Sequence, residues 1–374
     1  MTTQYVCSSC FGDTDLKAWI RRAGQRRGCD YCARYDSPTC DLDNLCRHIE
    51  DCLKKWYSFA VDELPYESAE GGYIGTTWTT YEILVEEVGL DLPRDRKDRL
   101  FQDILWRLTD ETWCEYDWLS LDYDDALRTS WDSFCQTVKH RRRFFFHATG
   151  TDDRDSYTPA SLLEAIVGIS ERMGLVRELT AGTRLWRARP DIARGRKVGA
   201  SDFGAPPEQF ALQSNRMNPP GIPMLYLAST AKTALLETRA NESRIGQWVA
   251  ERALRILDLR ELPGVPGIFS DGDRRQRLAL NFLHDFADDI MIPVDRDQRV
   301  HVDYLPSQVV TEYVRDHEFR DGKVDGIAYG STVHRGGWNV AMFLSPVDLG
   351  LEEPVWGKAP APSLKFDRAI RLRV

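Results

Sequence analysis

The chain has 374 residues, 42% hydrophobic and 29% charged, with a formal net charge of −9. That length exceeds the usual single-domain size, so two domains are expected, and the negative balance argues against broad, non-specific nucleic-acid binding by the whole molecule while leaving a local basic patch open. No run approaches ~18 consecutive apolar residues and the first thirty are polar and cysteine-bearing, so neither a membrane helix nor an apolar signal region is expected and the protein reads as cytoplasmic.

Seven of the nine cysteines lie between residues 7 and 52, a distribution unlike a disulfide scaffold. Cys7-Ser-Ser-Cys10 and Cys29-Asp-Tyr-Cys32 form two CxxC knuckles separated by eighteen residues. Such knuckles bring four thiolates to one tetrahedral Zn²⁺, and four protein ligands leave no position open for water, so the expected ion holds structure. Lys17, Arg21, Arg22, Arg26 and Arg27 lie between the knuckles, either to meet phosphate or as a solvated basic face. A helix is predicted from Asp41 or Asp43, with Leu45, Ile49, Leu53, Trp56 and Phe59 at three- and four-residue steps and Cys46 and Cys52 in its core pattern. After a Gly/Thr-rich segment, helical patterning returns in Tyr81 to Val88, Asp98 to Leu108 and Asp124 to Phe146. Seven of the eleven tryptophans precede residue 150, as in a helical domain with an aromatic core. Thr158-Pro159 opens a further helix that Gly174 ends.

Residues 140 to 147 read HRRRFFFH. Arg142, four residues, then His147 resembles the Arg-x4–6-His signature of the all-helical HEPN ribonucleases, which implies RNA cleavage by that pair and a homodimer. Equally, Arg141 to Arg143 serve as a cationic helix end facing its own dipole.

After Gly182 the pattern becomes mixed, with a strand predicted in Thr183 to Ala188 carrying Arg187. Residues 214 to 239 then combine Arg216, a rigid turn (Pro219, Pro220, Gly221, Pro223), a strand from Met224 to Ala228 with Tyr226, and a helix that Ser229 can cap. Glu237 falls beside that helix's apolar stripe, where a carboxylate is costly unless paired or used. A strand in Trp248 to Leu259, helices from Arg274 to Ile290 and from Pro306, a strand from Asp325 to Tyr329 ending at Gly330-Ser331, and a strand from Trp338 to Leu344 complete the pattern, before a proline-interrupted tail.

These motifs, Arg216-Met-Asn-Pro-Pro-Gly, Leu225-Tyr226-Leu227-Ala228, Thr233-Ala-Leu-Leu-Glu237 and Gly326-Ile-Ala-Tyr-Gly-Ser331, occur in the order of the RES domain, which residues from about 180 to 350 resemble. The family is named for an arginine, a glutamate and a serine and is known as toxins of toxin–antitoxin pairs. The resemblance implies a fold like ADP-ribosyltransferase toxins, attack on NAD⁺ by hydrolysis, phosphorolysis or transfer, and an antitoxin or regulatory protein as partner. A HEPN-like domain ahead of a RES domain is a known arrangement. The expected fold class is therefore α+β: a zinc-ribbon-like module (1–40), an all-α HEPN-like domain (41–178) and a mixed RES domain (179–374). The turn departs from the family pattern, with Asn215 where glycine is usual and Met217 where an aromatic is usual.

The residue chemistry points the same way. Breaking the nicotinamide–ribose bond builds positive charge that a carboxylate stabilises, the role expected of Glu237. Arg216, with Arg187 second, suits the pyrophosphate. Tyr226 offers an aromatic face for nicotinamide, and Ser331 a hydroxyl for ribose or phosphate. Read singly, these would be a salt-bridge partner, a core aromatic, a helix-surface acid and a turn former. Their joint order is the signal. Glycine-rich phosphate loops of the Rossmann and Walker types are absent. The alternatives are a HEPN-type ribonuclease using Arg142 and His147 with the RES-like half as sensor, and a nucleic-acid- or protein-binding zinc module.

Overall fold

The computed structural model describes residues 3–32, 34–69, 71–92, 97–146, 150–190, 192–193, 195–292, 299–354, 356–357 and 361–373. It is an α+β protein that divides into two compact units, residues 1–126 with 264–281 and residues 127–263 with 282–374. No helix among the described residues is long and apolar enough to cross a membrane.

The first unit opens with a three-stranded antiparallel sheet in which Pro38–Asp41 lies between Tyr5–Cys7 and Gln25–Arg26. The helix Thr14–Ala23 runs between the two cysteine knuckles, with Asp13 accepting from the Asp15 and Leu16 amides and Leu16 and Ile20 buried. Much of the basic stretch is used internally. Lys17 Nζ donates to Gly12 O at 3.0 Å, Arg22 pairs with Asp271, and the Arg27 guanidinium lies 4.1 Å from the centre of the Tyr5 ring. Asp41 caps the helix Leu42–Leu53, which buries Leu45, Cys46, Ile49 and Cys52 as its periodicity predicts but ends before Trp56, which lies in a turn, and Phe59, which lies on a strand. Among these helices sits a short sheet that periodicity does not announce, Thr112–Glu115 between Tyr57–Phe59 and Trp78–Thr79. Its strands are two to four residues long, too short for alternation to register. Trp113 anchors it, fully buried, its indole N–H donating to Thr80 Oγ1 at 2.9 Å.

The helix Tyr123–Gln136, which lies in the second unit from Leu127 onward, continues through a wide turn, Thr137–Arg141, and stops at the extended Arg142, short of the expected Phe146. The capped helix Pro159–Arg172 follows, and Gly174 ends it in the left-handed region (φ +68°). Eight strands form one sheet. In chain order they are β1 (Val176–Leu179), β2 (Arg184–Arg189), β3 (Leu225–Ala228), β4 (Glu242–Ala250), β5 (Leu254–Asp258), β6 (Gly326–Gly330), β7 (Trp338–Met342) and β8 (Leu364–Arg373). They lie in the order β8-β4-β2-β3-β7-β6-β5-β1, with only β5 and β6 parallel. The single strand expected over Trp248 to Leu259 is thus two, broken at residues 251–253.

One apolar layer of this sheet is aromatic. Phe203 stacks on Phe366 with ring centres 5.7 Å apart, and Trp248 meets Phe366 edge-on at 5.5 Å. Burying each such ring contributes about 1.5–3 kcal/mol. Gly246 admits Phe203 to the sheet, since a Cβ there would lie 2.4 Å from the ring. Strand β3 sits near the middle of the sheet, paired to β2 at Trp186/Ala228 and to β7 from Leu225/Met342 to Ala228/Asn339, so that Tyr226, β7 and the end of β6 converge.

Candidate active site

The cap of the helix Ala231–Thr238 is Thr230, whose side chain accepts from the Thr233 amide at 3.0 Å, while the Ser229 hydroxyl instead accepts from the Trp338 amide at 3.1 Å and ties the helix start to β7. The cap thus falls one residue later than Ser229. At its other end Arg239 closes the helix in the left-handed region (φ 56°). Glu237, on the last turn, is half-buried. Ser331 Oγ donates to its Oε1 at 2.7 Å and Asn339 Nδ2 donates to the same oxygen at 2.6 Å. Ser331 is in turn fixed by the amides of Val333 (3.3 Å) and His334 (3.2 Å), which donate to its hydroxyl. The carboxylate is therefore oriented by neutral donors rather than neutralised by a cation, and both donors spend themselves on Oε1, leaving Oε2 available to a ligand.

Glu237 opens into a cavity of about 150 Å³ that it lines with Asn215, Arg216, Tyr226, Tyr329 and Asn339. The Arg216 guanidinium lies 5.7 Å from the centre of the Tyr329 ring, on the cavity lining, and has no ion-pair partner among the described residues. Its backbone is clamped from the helix Leu305–Asp316: Ser307 Oγ donates to Arg216 O at 2.6 Å, and Gln308 Nε2 reaches Asn215 O (2.7 Å), Ser214 Oγ (2.9 Å) and Asn218 O (3.1 Å). The Tyr226 hydroxyl donates to Asn218 Oδ1 at 2.7 Å and accepts from the Met217 amide at 3.2 Å. Burial pushes the Tyr226 and Tyr329 hydroxyls well above the usual phenol range, so both stay protonated donors.

The two departures in the turn find physical roles here. Met217 is buried against Met224, Tyr329 and Ala341, and its sulfur accepts from Thr311 Oγ1 at 3.1 Å. Asn215 closes the turn through its amide, which donates to Asn218 O at 3.0 Å.

Four of the residues singled out by sequence, Arg216, Tyr226, Glu237 and Ser331, are thus brought together. Arg187 is not on the cavity lining; it lies half-buried on β2, and its Nη1 is buried without a hydrogen-bond partner among the described residues. Burial, and then the charge of Arg189, push its pKa down to about 9. Tyr329 and Asn339 escaped sequence reasoning. The signal for them was positional, one residue before Gly330-Ser331 and one after Trp338, and pairing of β6 with β7 sets them opposite each other. Arg142 is exposed beyond its helix, and His147 lies outside the described residues.

In the first unit the sulfurs of Cys7, Cys10, Cys29 and Cys32 lie within 4.8 Å of one another, with three of the four residues buried. Cys7 and Cys32 are 3.3 Å apart, and Cys10 stands 3.7 Å from both Cys7 and Cys29. An ion about 2.3 Å from four tetrahedral sulfurs sets them about 3.8 Å apart, close to the spacings of this cluster, so the four cysteines suit a zinc ion. Donation from Cys10 pushes the Cys29 thiol below its usual range and the Cys10 thiol above it.

Compared with known proteins, residues 22–152 match the family model of HEPN/RES N-terminal domain 1 and residues 184–367 match that of the RES domain. No curated protein and no solved structure matches the chain.

Proposed function

Since residues 184–367 belong to the RES family and follow a HEPN/RES N-terminal domain, we propose that the chain consumes NAD⁺ by breaking the bond between nicotinamide and ribose. The observation that carries this reading is the pairing of an oriented, un-neutralised carboxylate, Glu237, with a cation, Arg216, on one small cavity.

As the C–N bond breaks, positive charge develops on the ribose ring, and the free Oε2 of Glu237 stabilises it. Ser331 and Asn339 hold that carboxylate so that no reorganisation is needed when charge appears. Arg216, held by Ser307 at its own carbonyl and by Gln308 at the neighbouring Asn215 carbonyl, meets the pyrophosphate. Arg187, whose buried Nη1 has no hydrogen-bond partner among the described residues, adds positive potential from β2, next to the strand that carries Tyr226, without lining the cavity. Tyr226 and Tyr329 supply flat walls for nicotinamide and ribose. Neutral nicotinamide leaves, and water, phosphate or a macromolecular nucleophile takes its place at the anomeric carbon. Depletion of NAD⁺ or modification of a target makes the chain a toxin or anti-phage effector, held in check by an antitoxin or other regulatory protein. The zinc module (1–40) and the helical region (41–178) localise or regulate the catalytic part (179–374).

Purified protein incubated with NAD⁺ should release free nicotinamide. The co-product assigns the nucleophile: ADP-ribose for water, its 1″-phosphate for phosphate, and label retained on macromolecule for transfer. No release under any of these conditions overturns the reading.

A further inference from the structure

The cavity at Glu237 is about 150 Å³, whereas pockets that enclose a drug-sized ligand run about 300–1,000 Å³. A whole dinucleotide needs more room. A second cavity of about 850 Å³ lies in the same compact unit, lined by Trp131, Cys135, Lys139, Asp303, Tyr304 and Ser307 among others. The two share a wall. Ser307, on the larger cavity, donates to Arg216 O on the smaller one at 2.6 Å.

We propose that this larger cleft takes the adenosine half of the dinucleotide, with the pyrophosphate crossing at Arg216 and the nicotinamide ribose at Glu237. The inference rests on the NAD⁺ reading above and names where the rest of that substrate goes. The half-buried Tyr304 offers a flat face on which a base stacks. Asp303 accepts from a ribose diol, the use to which an acidic residue is put in other nucleotide sites. Asp303 already meets Arg299 Nε at 3.2 Å through Oδ2, and Lys139 Nζ stands 3.6 Å from its Oδ1, a loose contact that leaves ammonium donors for a phosphate oxygen. Trp131 is fixed behind them, its indole N–H donating to Asp289 Oδ2 at 3.0 Å.

Ownership of the walls gives the cleft its second meaning. Trp131, Cys135 and Lys139 come from the segment matched as the N-terminal domain, and Asp303, Tyr304 and Ser307 from the RES domain. Neither builds the cleft alone. The end of the N-terminal domain is therefore part of the substrate site, and anything that displaces the helix Tyr123–Gln136 controls affinity for NAD⁺.

The test uses the full chain and two substrates, NAD⁺ and nicotinamide mononucleotide, which lacks the adenylate half. Gln136→Trp, at an exposed position on the cleft wall, fills the cleft without touching the core. It should raise KM for NAD⁺ about tenfold or more, as should Tyr304→Ala, the scale on which losing one base–aromatic stack is felt. Turnover of the mononucleotide by Gln136→Trp should stay within about twofold of wild type. Equal loss on both substrates, or no change in KM for NAD⁺, overturns the proposal. Should wild type consume neither substrate, the NAD⁺ reading fails, and calorimetry with ADP-ribose then decides the cleft by itself. Binding that Gln136→Trp weakens about tenfold sustains it, and absent or unaltered binding overturns it.

Discussion

The Ser331 hydroxyl donates to Glu237 Oε1 at 2.7 Å, joining residues 94 apart in sequence from the loop after β6 and from the helix after β3. A hydrogen bond to a charged group is worth about 1.5–3 kcal/mol. Ser331→Ala should therefore lower kcat/KM for NAD⁺ by about 10- to 150-fold, with the loss mainly in kcat because the carboxylate, not the substrate, is released. Steady-state kinetics on the purified variant checks this. A change confined to KM would place Ser331 on the substrate instead.

Arg187 combines a buried Nη1 without a partner among the described residues with a place on β2, next to the strand that carries Tyr226. Arg187→Met should remove an unsatisfied donor and stabilise the free protein by about 1 kcal/mol. The same change should raise KM for NAD⁺. Thermal melting and kinetics read the two effects separately, and a variant that loses stability would mark Arg187 as structural.

The sequence made the order of the site motifs visible because each lies within one short segment: a turn with Arg216, a strand with Tyr226, a helix with Glu237, a strand end with Ser331. What it hid depends on pairing between distant segments. Asn339 reaches Glu237 only because β7 runs between β3 and β6. Gln308 reads as one polar residue on a helix until its side chain is seen to hold the Arg216 turn at three points. Strand β8 was hidden differently. Leu364 and Phe366 alternate, but Asp367, Arg368, Arg371 and Arg373 mask the pattern, and its partner β4 lies over a hundred residues upstream. The N-terminal knuckles were legible because metal spacing is local, whereas the small sheet around Trp113 has strands too short to show a period.

Asp258 ends β5 fully buried, bonded by Arg260 Nε and Nη2 at 2.7 Å each and by Arg177 at 3.2 Å. Burial opposes its charge, yet the Arg260 side chain and amide together with Arg177 outweigh that and lower its pKa below the ordinary 3.8. A carboxylate depressed on folding stabilises above its unfolded pKa, and that contribution is lost as pH falls through the folded value. Stability of the second unit should therefore be flat near neutrality and fall below about pH 4. Asp258→Asn should cost about 3 kcal/mol at pH 7, the lower end for breaking a buried pair since Arg260 reaches solvent, and should weaken the acid-side slope. Denaturant titrations between pH 3 and 7 check both, and an unchanged slope would remove Asp258 from the account.

The purified protein should contain about one zinc per chain by elemental analysis. Cys29→Ser should lose it and destabilise the first unit, since binding energy of a closed four-ligand site is folding energy. Retention of stoichiometric zinc by that variant would exclude Cys29 as a ligand.

The central claim is that the Glu237 carboxylate stabilises charge on the ribose as nicotinamide leaves. Its most direct measurement is nicotinamide release from NAD⁺ by wild type and Glu237→Gln, with ADP-ribose affinity measured in parallel. The isosteric amide keeps the shape of the side chain and removes its charge. Release should fall by about 10²-fold or more, with ADP-ribose affinity changed little. Undiminished release by Glu237→Gln would contradict the account.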